Sequence, residues 1–278
     1  MKSPPHNLPT MSKPITHLSF TRLSKLAHSP LALKRYIEEK RDRTRAMDEG
    51  YLLDILLFTP EKFDEEFFIM PQDVKKPTKA QIGAKKPSED TIRQIADWDA
   101  LQARIGNRIT INQEQYDEAE YLANCVRDNS TVAFQGLLHP ENFKFQVECG
   151  FFLNGFYHKG IKDAQGHDRD GRHVIWDLKR MGGRSGEQLV RSQIRNNMYD
   201  LQAAIYCHEY DIENVPVEYY VIAIDNEGFV TPFRIGRDAR EKAKYQWFKL
   251  IKAAHRCNME GLDMGCEFWG DRDGFFNF

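Results

Sequence analysis

The chain has 278 residues, of which 41% are hydrophobic and 29% charged, and its formal net charge is -2. That length can bury a substantial core in one large domain, and no apolar run of about 18 residues is present to cross a bilayer. The near-neutral balance excludes a histone-like polyanion binder but permits a local basic groove beside an acidic site.

Residues 1–15 are rich in Pro and Ser, lack a secretory signal's apolar stretch and are read as a flexible leader, with Met11 as a second candidate start. From Thr16 to Arg45, Leu23, Leu26, Leu31, Leu33 and Ile37 are spaced for short amphipathic helices interrupted at Pro30. A strongly apolar helix is expected over Met47–Phe58, stopped by Thr59-Pro60. From Met70 to Ser88, three prolines among five lysines read as a loop, either a solvated linker or an arm against phosphates. Residues 89–128 read as helical, with Ile92, Ile95, Trp98, Leu101 and Ile105 on one stripe.

The pattern then changes. Phe143–Gly150 alternates apolar and polar residues, as a half-buried strand does. Gly155–Asp163 and His173–Lys179 complete an expected antiparallel meander. Ser192–Glu209 reads as a helix, Val215–Asp225 and Phe229–Ile235 as strands about the turn Asn226-Glu227-Gly228, and Arg237–Cys257 as a final helix. The expectation is a mixed α/β fold in a single domain over 16–278, mainly helical over 16–140, with the chemistry-bearing core at 141–278. The five cysteines, Cys125, Cys149, Cys207, Cys257 and Cys266, form no CxxC pair. They indicate reduced cytoplasmic thiols rather than a disulfide framework or structural zinc.

In HVIWDLK, strand alternation puts Val174, Trp176 and Leu178 on one face and Ile175, Asp177 and Lys179 on the other. Asp177 and Lys179 then stand about 6–7 Å apart. Fourteen residues before Asp177 lies Asp163, separated from the strand by the turn-forming AQGHDRDGR. A hairpin there would bring two carboxylates together, which repel unless a cation sits between them, and hard divalent ions prefer oxygen ligands. Lys179 beside such a site could orient an attacking water and stabilise charge at phosphorus. The bland alternative is an acidic turn residue and a surface ion pair of slight energy. On Met198–His208, Tyr199, Gln202 and Tyr206 share one helix face among small alanines, so they could approach the sheet closely, as could an ordinary amphipathic helix with a buried Tyr.

The succession KGIKD, VIWDLK and QAAIY resembles the nuclease family that includes RecB-type, RecE-type and lambda-type exonucleases. The matching residues are Gly160 and Asp163, then Asp177 and Lys179, then Gln202 and Tyr206. Upstream, Ala46, Gly50, Pro60 and Phe63 fit the opening of RecE-like phage-associated exonucleases, so the resemblance spans roughly residues 19–63 and 148–210. One departure stands out: the family's metal-binding histidine falls at Asp54. Aspartate can also ligate magnesium; it could equally cap or salt-bridge locally.

The resemblance implies a PD-(D/E)xK restriction-endonuclease-like core, a central mixed sheet flanked by helices. It implies Mg2+ (with Mn2+ as a substitute) held by Asp54, Asp163, Asp177 and Leu178, and Glu148 is a further candidate carboxylate. The implied activity is digestion of double-stranded DNA from a 5′ end to leave a 3′ single strand for recombination. A homo-oligomeric ring, a single-strand annealing partner and a bacterial or phage-infected cytoplasm are implied with it. An endonuclease of the same fold and a non-catalytic DNA-binding protein remain open. Arg41, Arg43, Arg45, Arg191 and Arg195 are candidates for phosphate contact. The iron–sulfur branch is disfavoured, because Cys257 and Cys266 lack a C-terminal triplet.

Overall fold

A computed structural model of the chain describes residues 14–39, 42–183 and 186–261. The expected leader therefore falls almost wholly outside the described residues, as do Arg41 and Cys266. In chain order the elements are β1 (His17–Leu18), α1 (Phe20–His28), α2 (Pro30–Glu38), α3 (Arg45–Phe58), α4 (Phe63–Glu66), β2 (Phe67–Ile69) and α5 (Lys79–Ile82). Next come α6 (Glu89–Ile105), β3 (Ile109–Ile111), α7 (Gln113–Asp128), α8 (Ser130–Gln135), β4 (Phe143–Leu153), β5 (Phe156–His167) and β6 (His173–Met181). The last are α9 (Glu187–Asn196), α10 (Tyr199–Tyr206), α11 (His208–Ile212), β7 (Val217–Asp225), β8 (Val230–Arg234) and α12 (Arg237–Glu260). Among the described residues no helix is long and apolar enough to cross a membrane.

The chain divides into two compact units, Arg43–Asp128 and the remainder. In the first-named unit α3 packs on α7, and β2 pairs with β3 in parallel. Its interior is aliphatic and aromatic: Leu52, Leu53, Leu122 and Val126 are buried, and Phe63 stacks on Phe67 and meets Tyr116 edge-on. The arginine at the end of α7, Arg127, donates Nη2 to the Leu56 carbonyl, satisfying one of the carbonyls a helix end leaves open. Two expectations are corrected here. Residues 89–128 are not one helical run: α6 stops at Gly106 (φ 60°), and Ile109–Ile111 adds a strand before α7. The Lys/Pro-rich stretch is not all loop, since Thr78 and Gln81 form a reciprocal capping box that starts the short α5.

The larger unit is a mixed α/β fold, with a six-stranded sheet that combines parallel and antiparallel pairs. β4, β5 and β6 form the expected antiparallel meander, β6 and β7 run parallel, and β8 returns antiparallel to β7. Helices α1, α10 and α12 pack against one another and share an apolar core with Ile175, Tyr219 and Val221 of the sheet. On the other side of β6, Trp176 is fully buried and donates Nε1 to the Leu137 carbonyl beyond α8. Burying both faces of the sheet explains why β6 and β7 are nearly continuous apolar runs.

The hairpin between β5 and β6 is tighter than AQGHDRDGR suggests. Ala164–His167 belongs to the strand, and the turn is only Asp168–Arg172. Asp168 Oδ1 accepts from the amides of Asp170 and Arg172, each at 3.0 Å, while Oδ2 takes the Arg172 guanidinium. Burial works against the charge on Asp168, but the Arg172 amide and guanidinium outweigh it and hold its carboxyl below the ordinary range. A turn locked this way fixes the register, pairing Ala164 with Trp176 and His167 with His173. The expected continuous helix 192–209 is also broken: α9 ends at Asn196, and Met198, at φ 55°, restarts the chain as α10. That left-handed conformation is uncommon for a non-glycine residue, and periodicity does not announce it.

Candidate active site

The site sits where the sheet forks. Beyond Trp176, β6 leaves β5, and from Asp177 to Met181 it pairs with β7 alone. On the same edge of β5, β1 pairs only with Tyr157 and His158. The β4–β5 register passes over Gln146 and Asp163, and Gln146 adopts φ 51°. Asp163 therefore stands at a local irregularity with its side chain released from a regular ladder. Its Oδ2 accepts from the Leu178 amide at 2.7 Å, a donor that the departing strand would otherwise leave without a partner on that edge.

Asp177 is 2% exposed and is held from two sides. Gln202 Nε2 of α10 donates to Oδ1 at 2.9 Å, and the Lys179 ammonium lies against Oδ2. Burial disfavours the Lys179 charge, yet the carboxylates of Asp177 and Asp163 outweigh it and keep its pKa above the ordinary lysine range. Breaking a buried pair of this kind by removing one partner typically costs about 3–5 kcal/mol. Tyr199 places its ring 5.2 Å from the same ammonium, within cation–π range.

Tyr206 completes the helix face. A Cβ built on Gly160 would lie 2.6 Å from the Tyr206 ring, so only a residue without a side chain lets α10 approach β5 this closely. Burial pushes the Tyr206 phenol pKa upward, and the negative charge of Asp177 adds to the shift. The phenol is thereby held in its neutral form.

Among the sequence candidates, Asp163, Asp177, Leu178, Lys179, Gln202 and Tyr206 thus come together in the larger unit. Tyr199, noted only as a neighbour on the helix face, joins them; its i, i+3, i+7 spacing with Gln202 and Tyr206 was the available signal. Lys162 was missed altogether. It is 2% exposed, donates to Gln165 at 2.7 Å and sits 3.8 Å from Glu209. Strand alternation was the available signal: Lys162 falls in step with the buried Phe156, His158 and Ala164 of β5. Asp54 lies half-buried on α3 in the smaller unit, between Leu53 and Ile55. Glu148 is exposed on β4, opposite Ile161. Arg43 and Arg45 are engaged by Asp48 and Glu49, each at 2.6 Å.

Among the described residues no three His, Cys, Asp or Glu side chains converge as a metal cage. Magnesium does not require one: it commonly takes one or two protein carboxylates and retains several waters. Asp163 and Asp177 meet that requirement, Leu178 has a main-chain carbonyl between Asp177 and Lys179, and Gln202 Oε1 is buried with no hydrogen-bond partner. That acceptor is available to a water in the ion's shell. The donor set fits a hard divalent cation.

No family model matches the chain, and no curated protein matches it. Among solved structures, the chain is similar to a protein described as "Putative exonuclease" from Eubacterium rectale, with 12% identity over 92% of this chain and 88% of that one, at a TM-score of 0.54. It also aligns with SSO0001 (13% identity, 79% and 89% coverage, TM-score 0.31) and with VC1899 from Vibrio cholerae (11% identity, 86% and 56% coverage, TM-score 0.20). These last two carry no fold argument. The first defines the class by fold alone: a mixed α/β fold, its central mixed sheet flanked by helices, shared with that structure.

Proposed function

We propose that this chain is a magnesium-dependent DNA nuclease of the PD-(D/E)xK type, cleaving phosphodiester bonds from the 5′ end of duplex DNA. The observation that carries the reading is the fork of the sheet, where two carboxylates and an ammonium converge. In this assignment Asp163, Asp177 and the Leu178 carbonyl hold the metal. Bound there, magnesium would supply Lewis acidity and a water more readily deprotonated. Lys179 places positive charge beside the scissile phosphate and stabilises the charge that develops on its oxygens. Gln202 fixes the rotamer of Asp177, and Tyr206 seats α10 on Gly160 so that Gln202 reaches it. Asp54 is assigned as a further ligand from the position of the family histidine alone.

The fold shared with the Eubacterium rectale protein supports a nuclease. End dependence, 5′ polarity, a ring-shaped homo-oligomer, a single-strand annealing partner and a cytoplasmic setting rest on the family resemblance in sequence. The test is digestion of a 5′-phosphorylated linear duplex with Mg2+ or Mn2+, against the same duplex with blocked ends. Metal-dependent loss of the free-ended duplex alone is expected. Cleavage of both would convert the assignment to an endonuclease, and cleavage of neither would remove it.

A further inference from the structure

The arginines near the site are not equivalent. Arg191 and Arg195, one helical turn apart on α9, line a cleft of about 240 Å³ together with Arg234 of β8, Phe233 and Asp200. Arg191 and Arg234 are each 62% exposed at the side chain. Three guanidinium groups face one acid there, a local excess of positive charge in a chain whose net charge is -2. Their local partners are weak or absent. Arg191 meets exposed Glu187 at 2.8 Å, Arg234 lies 3.8 Å from Glu218, and Arg195 has no ion pair among the described residues. Exposed pairs of this kind are worth about 0–1 kcal/mol and yield readily to a better anion.

The cleft also adjoins the carboxylate site. Asp200 on its wall follows Tyr199, whose ring faces the Lys179 ammonium and whose hydroxyl accepts from Asn197 Nδ2 at 3.3 Å. Ile194, Tyr199 and Phe233 all pack on the cluster formed by Met181, Val190 and Ala223. A chain of phosphates passing Lys179 would therefore reach the arginines by crossing a single helix junction. Guanidinium groups suit this occupant, because their paired N–H groups match phosphate oxygens.

We propose that Arg191, Arg195 and Arg234 form a track for the sugar–phosphate backbone of the DNA, holding the strand that leads into the carboxylate site. The proposal rests on the nuclease reading for its choice of polyanion. Each phosphate neutralised on a duplex contributes about 0.9 to the slope of log affinity against log salt.

The experiment is fluorescence anisotropy of a labelled duplex with the full-length protein in EDTA, where no cleavage occurs, titrated at several KCl concentrations. The combined R191Q/R195Q/R234Q variant should lower the slope by about 2–3 and weaken binding about tenfold or more at moderate salt. The corresponding triple lysine variant should recover the slope, which also shows that folding is not at issue. An unchanged slope in the glutamine variant would overturn the track, and so would an equal loss of binding to polyglutamate, which would mark a generic polyanion surface. If the slope falls as expected but the wild type never cleaves DNA with Mg2+ or Mn2+, the nuclease assignment fails and the track stands.

Discussion

The two compact units bury different kinds of residue. All the buried polar and charged residues among those described lie in the larger unit: His158, Lys162, Asp168, Asp177, Gln202, Asp225 and Arg240. The smaller unit buries only apolar side chains, such as Leu52, Leu53, Ile105, Ile111, Leu122 and Val126. Burying a polar group is costly unless it is bonded, and burying a charge more so. A fold that accepts this cost seven times in one unit and not in the other has concentrated its chemistry in the first.

The sharpest way to break that contrast is at the fork. Asp177→Ala should stay folded while giving up about 3–5 kcal/mol of stability with its buried partner, and lose at least about two orders of magnitude of Mg2+-dependent cleavage, the scale for removing a metal or charge-stabilising group. Circular dichroism paired with single-turnover digestion checks both halves. In the smaller unit the expected effect is on stability: Leu122→Ala, at a fully buried position, should cost about 2–5 kcal/mol in denaturant unfolding. A cost below about 1 kcal/mol would mean that α7 is not packed as described.

A smaller effect is expected at Gly160. Gly160→Ala would push a methyl group into the Tyr206 ring, at about 1–3 kcal/mol of overpacking. Because α10 carries Gln202, the variant should also slow cleavage, and Tyr206→Leu should relieve part of its stability loss. Independent, additive losses in the double variant would contradict the packing of these two residues.

A further effect appears only as a pH dependence. Burial, together with the neighbouring His208, lowers the pKa of His158 from its ordinary 6.5 to about 4. Its ring lies stacked on Phe151 and edge-on to Trp247. The unfolded chain therefore binds a proton at a pH where the folded chain does not. The stability linked to His158 is fully present above about pH 6.5 and is lost as pH falls towards 4. Thermal melts of wild type and His158→Phe should diverge in slope across that window and run parallel above it.

How much of this was legible in the sequence differs between the units for the same physical reasons. Strand alternation in HVIWDLK and the turn chemistry after Asp163 were enough to place the hairpin, and the spacing of Gln202 and Tyr206 gave one helix face. Pro30 marked a helix boundary because proline fits the first turn, and it begins α2. The fork itself was hidden. It depends on where β6 parts from β5 while keeping β7 as its partner, which is not a local property of the residues. Met198 broke a helix whose periodicity runs on unbroken. In the smaller unit, three residues of strand between α6 and α7 carry too short a pattern to separate from helix, and the boundaries at Arg43 and Asp128 are set by long-range contacts alone.

Everything chemical in the larger unit depends on whether a divalent ion settles between Asp163 and Asp177. A crystal soaked in Mn2+ and measured at the manganese absorption edge would decide it. The expected result is an anomalous peak about 2.0–2.4 Å from an oxygen of each carboxylate, in keeping with hard-cation coordination, and absent from crystals of Asp177→Ala. A saturating soak that leaves both carboxylates without a peak, or puts manganese elsewhere in the larger unit, would contradict the account.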